Sequence, residues 1–256
     1  MRIALISDIH GNLVALDATL REIATQRIDQ IVCLGDIAYS GPQPHECVET
    51  IRALGCPTIM GNCDDLAIQL RREGRMPERL RGVNRRGAWV DEIDAWSALA
   101  LTDDDAAYLA ALPMTASIEL GPGATLLCVH GSPLSFNYRL LPDTPDEQME
   151  ALISPVDALA MASGHTHVPM LRRLGALTIV NPGSVGLPLA NDASGARYNP
   201  ATYAEYGILG WEADRASDAL TWEPRRITLD ADAVFAAARA SGMPHADRWR
   251  GDWSQP

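Results

Sequence analysis

The first sixty residues alternate short apolar runs with amphipathic segments, and this order restricts the fold more than any other feature of the chain. Residues 3–6, 31–34 and 58–60 are apolar runs with the length of buried strands. Leucine and isoleucine recur at three- and four-residue steps between residues 13 and 23, and residues 47–54 repeat this helical pattern. Three strands separated by two helices predict a parallel sheet with helices packed on it.

The middle of the chain changes to helical patterns. Residues 88–96 and 103–112 have the spacing of helices, and an arginine-rich segment precedes them. We expect an inserted helical cap at about 65–112 within a single domain that spans residues 1–256.

The remainder of the chain is rich in predicted strands. Residues 118–120 and 126–129, joined by Gly121-Pro122-Gly123, predict a β-hairpin. Further strands are expected within residues 159–180, 203–211 and 220–227, and a late helix at 231–240. The sequence therefore predicts an α/β protein with two packed sheets and helices outside them.

Short polar clusters fall at the ends of these strands. In chain order they are Asp8-Ile9-His10, Gly35-Asp36, Gly61-Asn62-Cys63-Asp64, His130-Gly131 and Gly164-His165-Thr166-His167. Ligands bind at the carboxyl ends of strands in open α/β sheets, so we expect these clusters to share one site. Four of the six histidines of the chain lie in them, which isolated turn or capping roles do not explain.

The residue types in these clusters indicate a metal centre. The candidate ligands are Asp8, His10, Asp36, Asn62, His130, His165 and His167. Carboxylates, an amide oxygen and imidazoles suit a pair of divalent transition ions, a recurring device for cleaving phosphate esters. Two of the clusters place ligands two residues apart, and we expect extended backbone there, which would aim both side chains to the same side. His45 and His245 are expected to be exposed or locally bonded side chains.

Charge and cysteine content exclude several classes of function. The net charge of −12 would repel the phosphate backbone of bulk DNA or RNA. No apolar stretch approaches the roughly 20 residues that a membrane span needs, and Asp8 comes too early for a signal peptide. The five cysteines show no paired pattern, which is typical of a reducing compartment. We therefore expect a cytoplasmic protein without a membrane partner.

One basic segment interrupts this acidic chain. Seven arginines and two glutamates lie between residues 71 and 86, which gives a local charge of +5. Guanidinium groups form bidentate bonds with phosphate and would suit a polyanionic substrate. Arg71, Arg72 and Arg75 are therefore candidate substrate-binding residues, and an exposed charged face is the alternative interpretation.

The five clusters, in this order, resemble the motifs of the calcineurin-like metallophosphoesterases: D-x-H, G-D, G-N-x-D, H-G and G-H-T-H. The resemblance covers roughly residues 1–186. The segment Asn181-Pro182-Gly183-Ser184-Val185-Gly186 is also similar to one common in the small prokaryotic branch of that superfamily, although by itself it predicts only a turn. The resemblance implies a four-layer α/β/β/α sandwich of two mixed β-sheets flanked by helices.

The resemblance also implies a role for each candidate ligand. One metal ion would be held by Asp8, His10 and His167, and the other by Asn62, His130 and His165. Asp36 would bridge the two ions, and a hydroxide between them would attack phosphorus in line. Asp36, Asn62 and His130 are accordingly the expected catalytic residues. The implied cofactors are two divalent ions, manganese, iron or zinc, with manganese favoured.

Cys63 departs from the family pattern. Much of the superfamily has a histidine at this position, where it is thought to protonate the leaving oxygen. A thiol with an ordinary pKa near 8.5 replaces an imidazole near 6.5, and alkoxide leaving groups would suffer most. The departure favours phosphodiesters or phosphoanhydrides of the nucleotide type, such as diadenosine tetraphosphate, with Cys63 near the substrate. The alternative is that Cys63 only packs, and that another group or water is the acid.

Two other functions fit the same motifs. A retromer scaffold subunit resembles these enzymes but binds other proteins; the seven filled ligand positions favour catalysis, and the absent acid histidine favours the scaffold. A protein Ser/Thr phosphatase is the third interpretation, and its alkoxide leaving group makes it less favoured. The expected partner is a phosphorylated small molecule or nucleotide, and the sequence leaves a homodimer open.

Overall fold

The computed structural model describes residues 1–74, 88–191, 197–198, 202–213 and 220–247. The strands in these ranges are β1 (Arg2–Ile6), β2 (Gln30–Cys33), β3 (Thr115–Gly121), β4 (Ala124–Val129), β5 (Ala160–Ala162), β6 (Met170–Leu174), β7 (Leu177–Asn181), β8 (Ala190–Asn191), β9 (Arg197–Tyr198), β10 (Tyr203–Trp211) and β11 (Leu220–Thr228). The helices are α1 (Leu13–Ala24), α2 (Pro44–Leu54), α3 (Asn62–Glu73), α4 (Ala88–Leu99), α5 (Asp103–Ala110), α6 (Asp146–Ile153) and α7 (Ala231–Ala240).

Two mixed sheets carry most of the strands. The first has the order β11-β10-β1-β2, with β1 parallel to β2 and antiparallel to β10. The second has the order β3-β4-β5-β7-β6, in which β4, β5 and β7 are parallel neighbours. The predicted hairpin of β3 and β4 is confirmed, and β8 pairs only with β9 among the described residues.

The two sheets pack face to face with helices outside them. Alternate residues of β1 point to opposite sides of the first sheet, as strand geometry requires. Ile3 and Leu5 meet Leu126 of the second sheet in the inner core, whereas Ile6 joins the outer cluster with the helices. On the other side of the second sheet, Met149 of α6 packs in a third apolar cluster. This arrangement confirms the predicted class of two mixed sheets flanked by helices.

Most predicted elements agree with the structure, but the third strand does not. Residues 58–60 make only one isolated parallel bridge, between Cys33 and Thr58. The strand is cut short because Pro57 has no N–H to donate and because Met60 N–H donates to the carbonyl of Pro113 instead. The β8–β9 pair was not predicted because each strand has only two residues, and α6 was not predicted although it is as long as α5.

The helices after Asn62 share the outer core of the first sheet. Helix α3 starts three residues before the expected cap boundary at 65. Leu70, Ile93 and Leu109 are buried in the same apolar cluster as Leu16 of α1. The action of these helices as a cap stays a prediction. Among the described helices none combines the length and apolar character of a membrane span.

We expect replacement of Gly35 by alanine to destabilise the fold strongly. Its φ is +91°, and an added Cβ would lie 2.4 Å from the backbone nitrogen of Gly61. Gly175 is a matched control, because its φ of +57° is also left-handed but no described atom lies within 4 Å of its added Cβ. Gly175→Ala should lower the free energy of unfolding by about 1 kcal/mol, and Gly35→Ala by about 3 kcal/mol or more. Equal losses in urea unfolding would contradict this interpretation.

Candidate metal centre

The seven candidate ligands lie together at the carboxyl ends of the parallel strands. They are Asp8 and His10 after β1, Asp36 after β2, Asn62 at the start of α3, His130 after β4, and His165 and His167 after β5. Since the sheets are packed on each other, these strand ends meet at one edge of the molecule. The structure thus gathers all seven predicted residues.

Asp8, His10 and His167 form the first group of donors. The Nε2 atom of His167 lies 3.1 Å from Nε2 of His10 and 3.2 Å from Oδ1 of Asp8. One ligand atom from each of the three residues falls within 4.8 Å of the others. A carboxylate with two imidazoles is a suitable set for a divalent transition ion.

His130, Asn62 and His165 form the second group, and Asp36 lies between the groups. His130 Nε2 is 2.9 Å from Asn62 Oδ1, and its ring contacts that of His165 edge to face at 5.3 Å between centroids. Asp36 Oδ2 is 3.3 Å from His130 Nε2 and 3.7 Å from His10 Nε2. A carboxylate oxygen in this position can reach both groups of donors.

Backbone carbonyl groups orient three of the imidazoles. The Nδ1 atoms of His10, His130 and His167 are hydrogen-bonded to the carbonyl oxygens of Tyr39 (2.8 Å), Leu34 (2.7 Å) and Leu187 (2.5 Å), respectively. A neutral imidazole that donates from Nδ1 presents a lone pair at Nε2. In that state His10 and His167 face each other with two lone pairs, and a cation between them makes the contact favourable.

Each carboxylate has one oxygen held by neighbours and one turned to the imidazoles. Asp8 Oδ2 accepts hydrogen bonds from Ser7 Oγ at 2.6 Å and from the backbone N–H of His165 at 3.0 Å. Asp36 Oδ1 accepts from the backbone N–H of Cys63 at 2.8 Å. Asp8 Oδ1 is buried and makes no hydrogen bond of good geometry with the residues that the structure describes, although His167 Nε2 lies 3.2 Å from it. A buried carboxylate oxygen of this kind is costly unless a cation binds it, so the site fits divalent metal.

The buried carboxylates govern the ionisation of the imidazoles. Burial acts to lower the pKa of His130, but the negative charges of Asp36 and Asp8 outweigh it and raise the pKa to about 10. Burial and the neighbouring His130 lower the pKa of His165 to about 4. Although burial opposes ionisation of Asp36, the His130 imidazole outweighs it and keeps the pKa of Asp36 below its usual range. A proton on His130 therefore supplies the positive charge that the carboxylates attract.

Five of the seven ligands have left-handed backbone, which corrects the prediction of extended pairs. Their φ angles are 54° for Asp8, 49° for His10, 56° for Asp36, 65° for His165 and 55° for His167. Such conformations are uncommon for residues other than glycine and store about 1–3 kcal/mol of strain each. The paired side chains converge because the backbone turns sharply at each ligand, and the expected alternation along an extended strand is wrong.

Asp64 holds one of these turns in place, a role that we did not predict for it. Its buried carboxylate accepts hydrogen bonds from the backbone N–H groups of Asp36 and Ile37, both at 2.8 Å, and of Gly61 at 3.0 Å. Burial and the charge of Asp36 raise the pKa of Asp64 to about 6. An acidic side chain at the third position of α3 was a visible signal of such capping.

Cys63 lies beside the second group of donors. Its Sγ atom is 3.4 Å from Asn62 Nδ2, and one ligand atom each from Cys63, His10 and Asp36 fall within 4.8 Å of one another. Burial first, and then the charge of Asp36, raise the pKa of this thiol well above its usual range. The thiol is therefore neutral at pH 7.

Two of the three candidate arginines, Arg71 and Arg72, lie in the last turn of α3. Arg71 donates hydrogen bonds to the Leu99 carbonyl at 3.3 Å and to the Asp103 carboxylate at 2.7 Å, so its guanidinium engages the α4–α5 junction. Arg72 is exposed, and Arg75 lies outside the described residues. A substrate-binding role for these three residues stays a prediction.

The other two histidines have partners away from the centre. His45 Nδ1 is 2.7 Å from an oxygen of Asp105 on α5, and His245 Nε2 is 2.8 Å from an oxygen of Glu92 on α4. The partners lie 60 and 153 positions away in sequence, so the expectation of local bonding is wrong, although neither histidine takes part in the centre.

Comparison with known proteins agrees with this geometry. The model of the calcineurin-like phosphoesterase superfamily domain matches residues 1–202. The chain belongs to this superfamily. Its membership confirms the resemblance carried by the five clusters and supports a metal-dependent hydrolase. Placement in the small prokaryotic branch with G-N-C-D stays a prediction.

Individual relatives extend over most of the chain. An uncharacterised protein of Methanocaldococcus jannaschii, MJ0912, is 32% identical over 204 residues, which cover 73% of this chain and 76% of that one. A metallophosphoesterase from Sphaerobacter thermophilus has 28% identity and a TM-score of 0.68, and covers 98% and 99% of the two chains. Hypothetical protein PH1004 from Pyrococcus horikoshii OT3 shares the fold, with 21% identity, a TM-score of 0.75, and coverage of 95% and 94%.

We expect the affinity for Mn²⁺ to rise with pH. Because Asp36 and Asp8 raise the pKa of His130 to about 10, the metal-free imidazole is protonated at neutral pH, and a metal must displace that proton. His165, with a pKa of about 4, is already neutral. Between pH 6 and 8 each unit should tighten binding about tenfold for each displaced proton. Titration calorimetry at three pH values tests this, and an affinity independent of pH would contradict it.

Proposed function

We propose that this protein is a phosphoesterase with a dinuclear metal centre, acting on phosphodiesters or phosphoanhydrides of the nucleotide type. The observation that supports it most is the convergence of two donor groups on Asp36 Oδ2, which lies within 4 Å of an imidazole nitrogen from each group. Two divalent ions, with manganese as the favoured metal, would supply Lewis acidity and a nucleophilic water at neutral pH.

The residues around the centre would bind the two ions and stabilise a phosphoryl oxygen of the substrate. Asp8, His10 and His167 would hold one ion, Asn62, His130 and His165 the other, and Asp36 both. Helix α3 begins at Asn62, so its positive N-terminal end faces the same place and favours a phosphoryl oxygen there. The Asn62 amide, at the surface of this site, is placed to neutralise such an oxygen.

The state of Cys63 supports the choice of leaving group. A neutral thiol whose pKa lies well above its usual range is a poor proton donor at pH 7. A phosphate or aryloxide leaving group departs without much protonation, whereas a simple alkoxide does not. The site therefore favours phosphoanhydrides and activated diesters over phosphoserine or alkyl monoesters.

The proposal includes a cytoplasmic location for the protein. All five cysteines are free thiols, which is consistent with a reducing compartment such as the cytoplasm. The acidic chain would act on small phosphorylated molecules and would bind bulk nucleic acid poorly.

Hydrolysis by metal-stripped protein supplied with Mn²⁺ tests the proposal. The substrates are diadenosine tetraphosphate, bis-p-nitrophenyl phosphate and a serine phosphopeptide, and the variant is Asp36→Asn. Asp65→Asn is the matched control, because Asp65 lies one turn into α3 and bonds Gln69 instead of the centre. We expect turnover of the tetraphosphate or the diester, reduced at least 100-fold in Asp36→Asn and unchanged in Asp65→Asn.

The other interpretations give different results. Turnover of only the nitrophenyl diester would support phosphodiesterase activity and exclude diadenosine tetraphosphate as a substrate. Preferred turnover of the phosphopeptide would indicate a protein phosphatase. Bound Mn²⁺ without turnover of any substrate would contradict the proposed activity and favour a protein-binding scaffold.

A histidine at position 63 should widen the range of leaving groups. Cys63→His would place an imidazole beside Asn62, where it can protonate an alkoxide, and Cys63→Ser is the control of similar size without an imidazole. We expect the ratio of kcat/KM for an alkyl diester to that for bis-p-nitrophenyl phosphate to rise about 10²-fold in the histidine variant alone. The same ratio in both variants would show that position 63 does not determine leaving-group preference.

A further inference from the structure

The segment that follows β7 bonds to loops that carry metal ligands. We call residues 182–187 the strap. Ser184 Oγ donates a hydrogen bond to the carbonyl oxygen of Asp8 at 2.7 Å. The Leu187 carbonyl accepts the bond from His167 Nδ1 that orients this imidazole. The strap therefore joins two ligands of the first donor group that lie far apart in sequence.

Glu205 of β10 lies against this strap. Its backbone N–H donates to the carbonyl of Ser184 at 2.9 Å, and the residue is only 3% exposed. A Cβ added at Gly183 would lie 2.4 Å from Glu205 Oε2, so the carboxylate contacts the strap backbone directly. A shift of the Glu205 side chain would therefore move the strap.

Only one oxygen of the Glu205 carboxylate is paired within the described chain. Oε1 accepts a hydrogen bond from Arg226 Nη2 at 2.7 Å, and the guanidinium of Arg226 stacks on the Tyr203 ring at 3.9 Å. Oε2 is buried without a hydrogen-bond partner in the ranges that the structure describes. A buried charge that is only half paired is unfavourable unless another positive charge lies near it.

The first metal position would supply that positive charge. Glu205 is linked to this position through the strap, because Ser184 bonds both the Glu205 backbone N–H and the Asp8 carbonyl oxygen, and the Leu187 carbonyl oxygen bonds the His167 imidazole. A divalent cation held by Asp8, His10 and His167 would add positive charge beside the loops that the strap bonds. In a buried environment such an interaction is weakly screened by salt.

We propose that Glu205 is a positioning residue for the Asp8–His10–His167 half of the centre, where its negative charge and its contact with the strap raise the affinity for a divalent cation. This inference rests on the proposed dinuclear centre. It differs from a purely structural role, in which the pair of Glu205 and Arg226 only joins β10 to β11.

The two roles predict different changes in metal affinity when Glu205 or Arg226 is replaced. If the pair is only structural, Glu205→Gln and Arg226→Gln both weaken the same ion pair and should affect metal binding alike. If the charge of Glu205 acts on the centre, Glu205→Gln removes a favourable negative charge, whereas Arg226→Gln removes an unfavourable positive one. Metal affinity should then fall in the first variant and not in the second.

Calorimetric titration of the metal-stripped full chain with Mn²⁺, at fixed pH and salt, separates these roles. Glu223→Gln is the matched control, because Glu223 lies on neighbouring β11 and pairs with Arg2 and Arg225. We expect Glu205→Gln to weaken one of two Mn²⁺ sites about tenfold and to leave the other unchanged. Arg226→Gln should bind at least as tightly as the original protein, and Glu223→Gln should be indistinguishable from it.

Unchanged binding in Glu205→Gln, or equal losses in Glu205→Gln and Arg226→Gln, would overturn the inference. Thermal unfolding of the metal-free variants shows whether each one folds. If Glu205→Gln does not fold, Arg226→Gln decides, since weaker Mn²⁺ binding there contradicts the charge argument. An unsubstituted protein that binds no Mn²⁺ would contradict the proposed centre and this inference with it.

Discussion

The main constraint on this structure is the close approach of carboxylate oxygens and imidazole nitrogens at the metal centre. Two buried carboxylates and several imidazole nitrogens approach within about 4 Å at the edge of two packed sheets. The neutral imidazoles of His10 and His167 face each other with two lone pairs, and five of the ligand residues also have unfavourable left-handed backbone. The packed strands and the bonded turns must impose this arrangement. Asp64 does so for the turn at Asp36, and the strap does so for Asp8 and His167.

This constraint explains why strained residues coincide with ligands. Strain of about 1–3 kcal/mol per residue persists only where the surroundings over-determine the conformation. The strands that end at the centre are buried and apolar, so they form a rigid base from which the turns project. A bound cation would stabilise this arrangement, because the cation would neutralise Asp8 Oδ1 and lie between the facing imidazoles of His10 and His167.

The fold and the membership of the site follow largely from local patterns in the sequence. Strand β1 is a continuous apolar run, α7 has its predicted bounds, and the ligands follow strands whose carboxyl ends meet. The geometry of the turns did not follow, because a left-handed φ at aspartate or histidine leaves no compositional signal as glycine does. Asp64 carried a local capping signal at the third position of α3, but its bonds to the backbone of Asp36 and Ile37 cross 28 and 27 positions of sequence and left no local pattern. Glu205 was also missed, because its role arises only from contacts between distant segments.

The most direct test of the account is a crystal structure of the protein with Mn²⁺, with data collected at the manganese absorption edge. The account predicts two anomalous peaks about 3.5–4 Å apart, with the Asp36 carboxylate between them. One peak should contact Asp8, His10 and His167, and the other should contact Asn62, His130 and His165. A single peak at this edge of the sheets, or a pair that Asp36 does not bridge, would contradict the dinuclear centre.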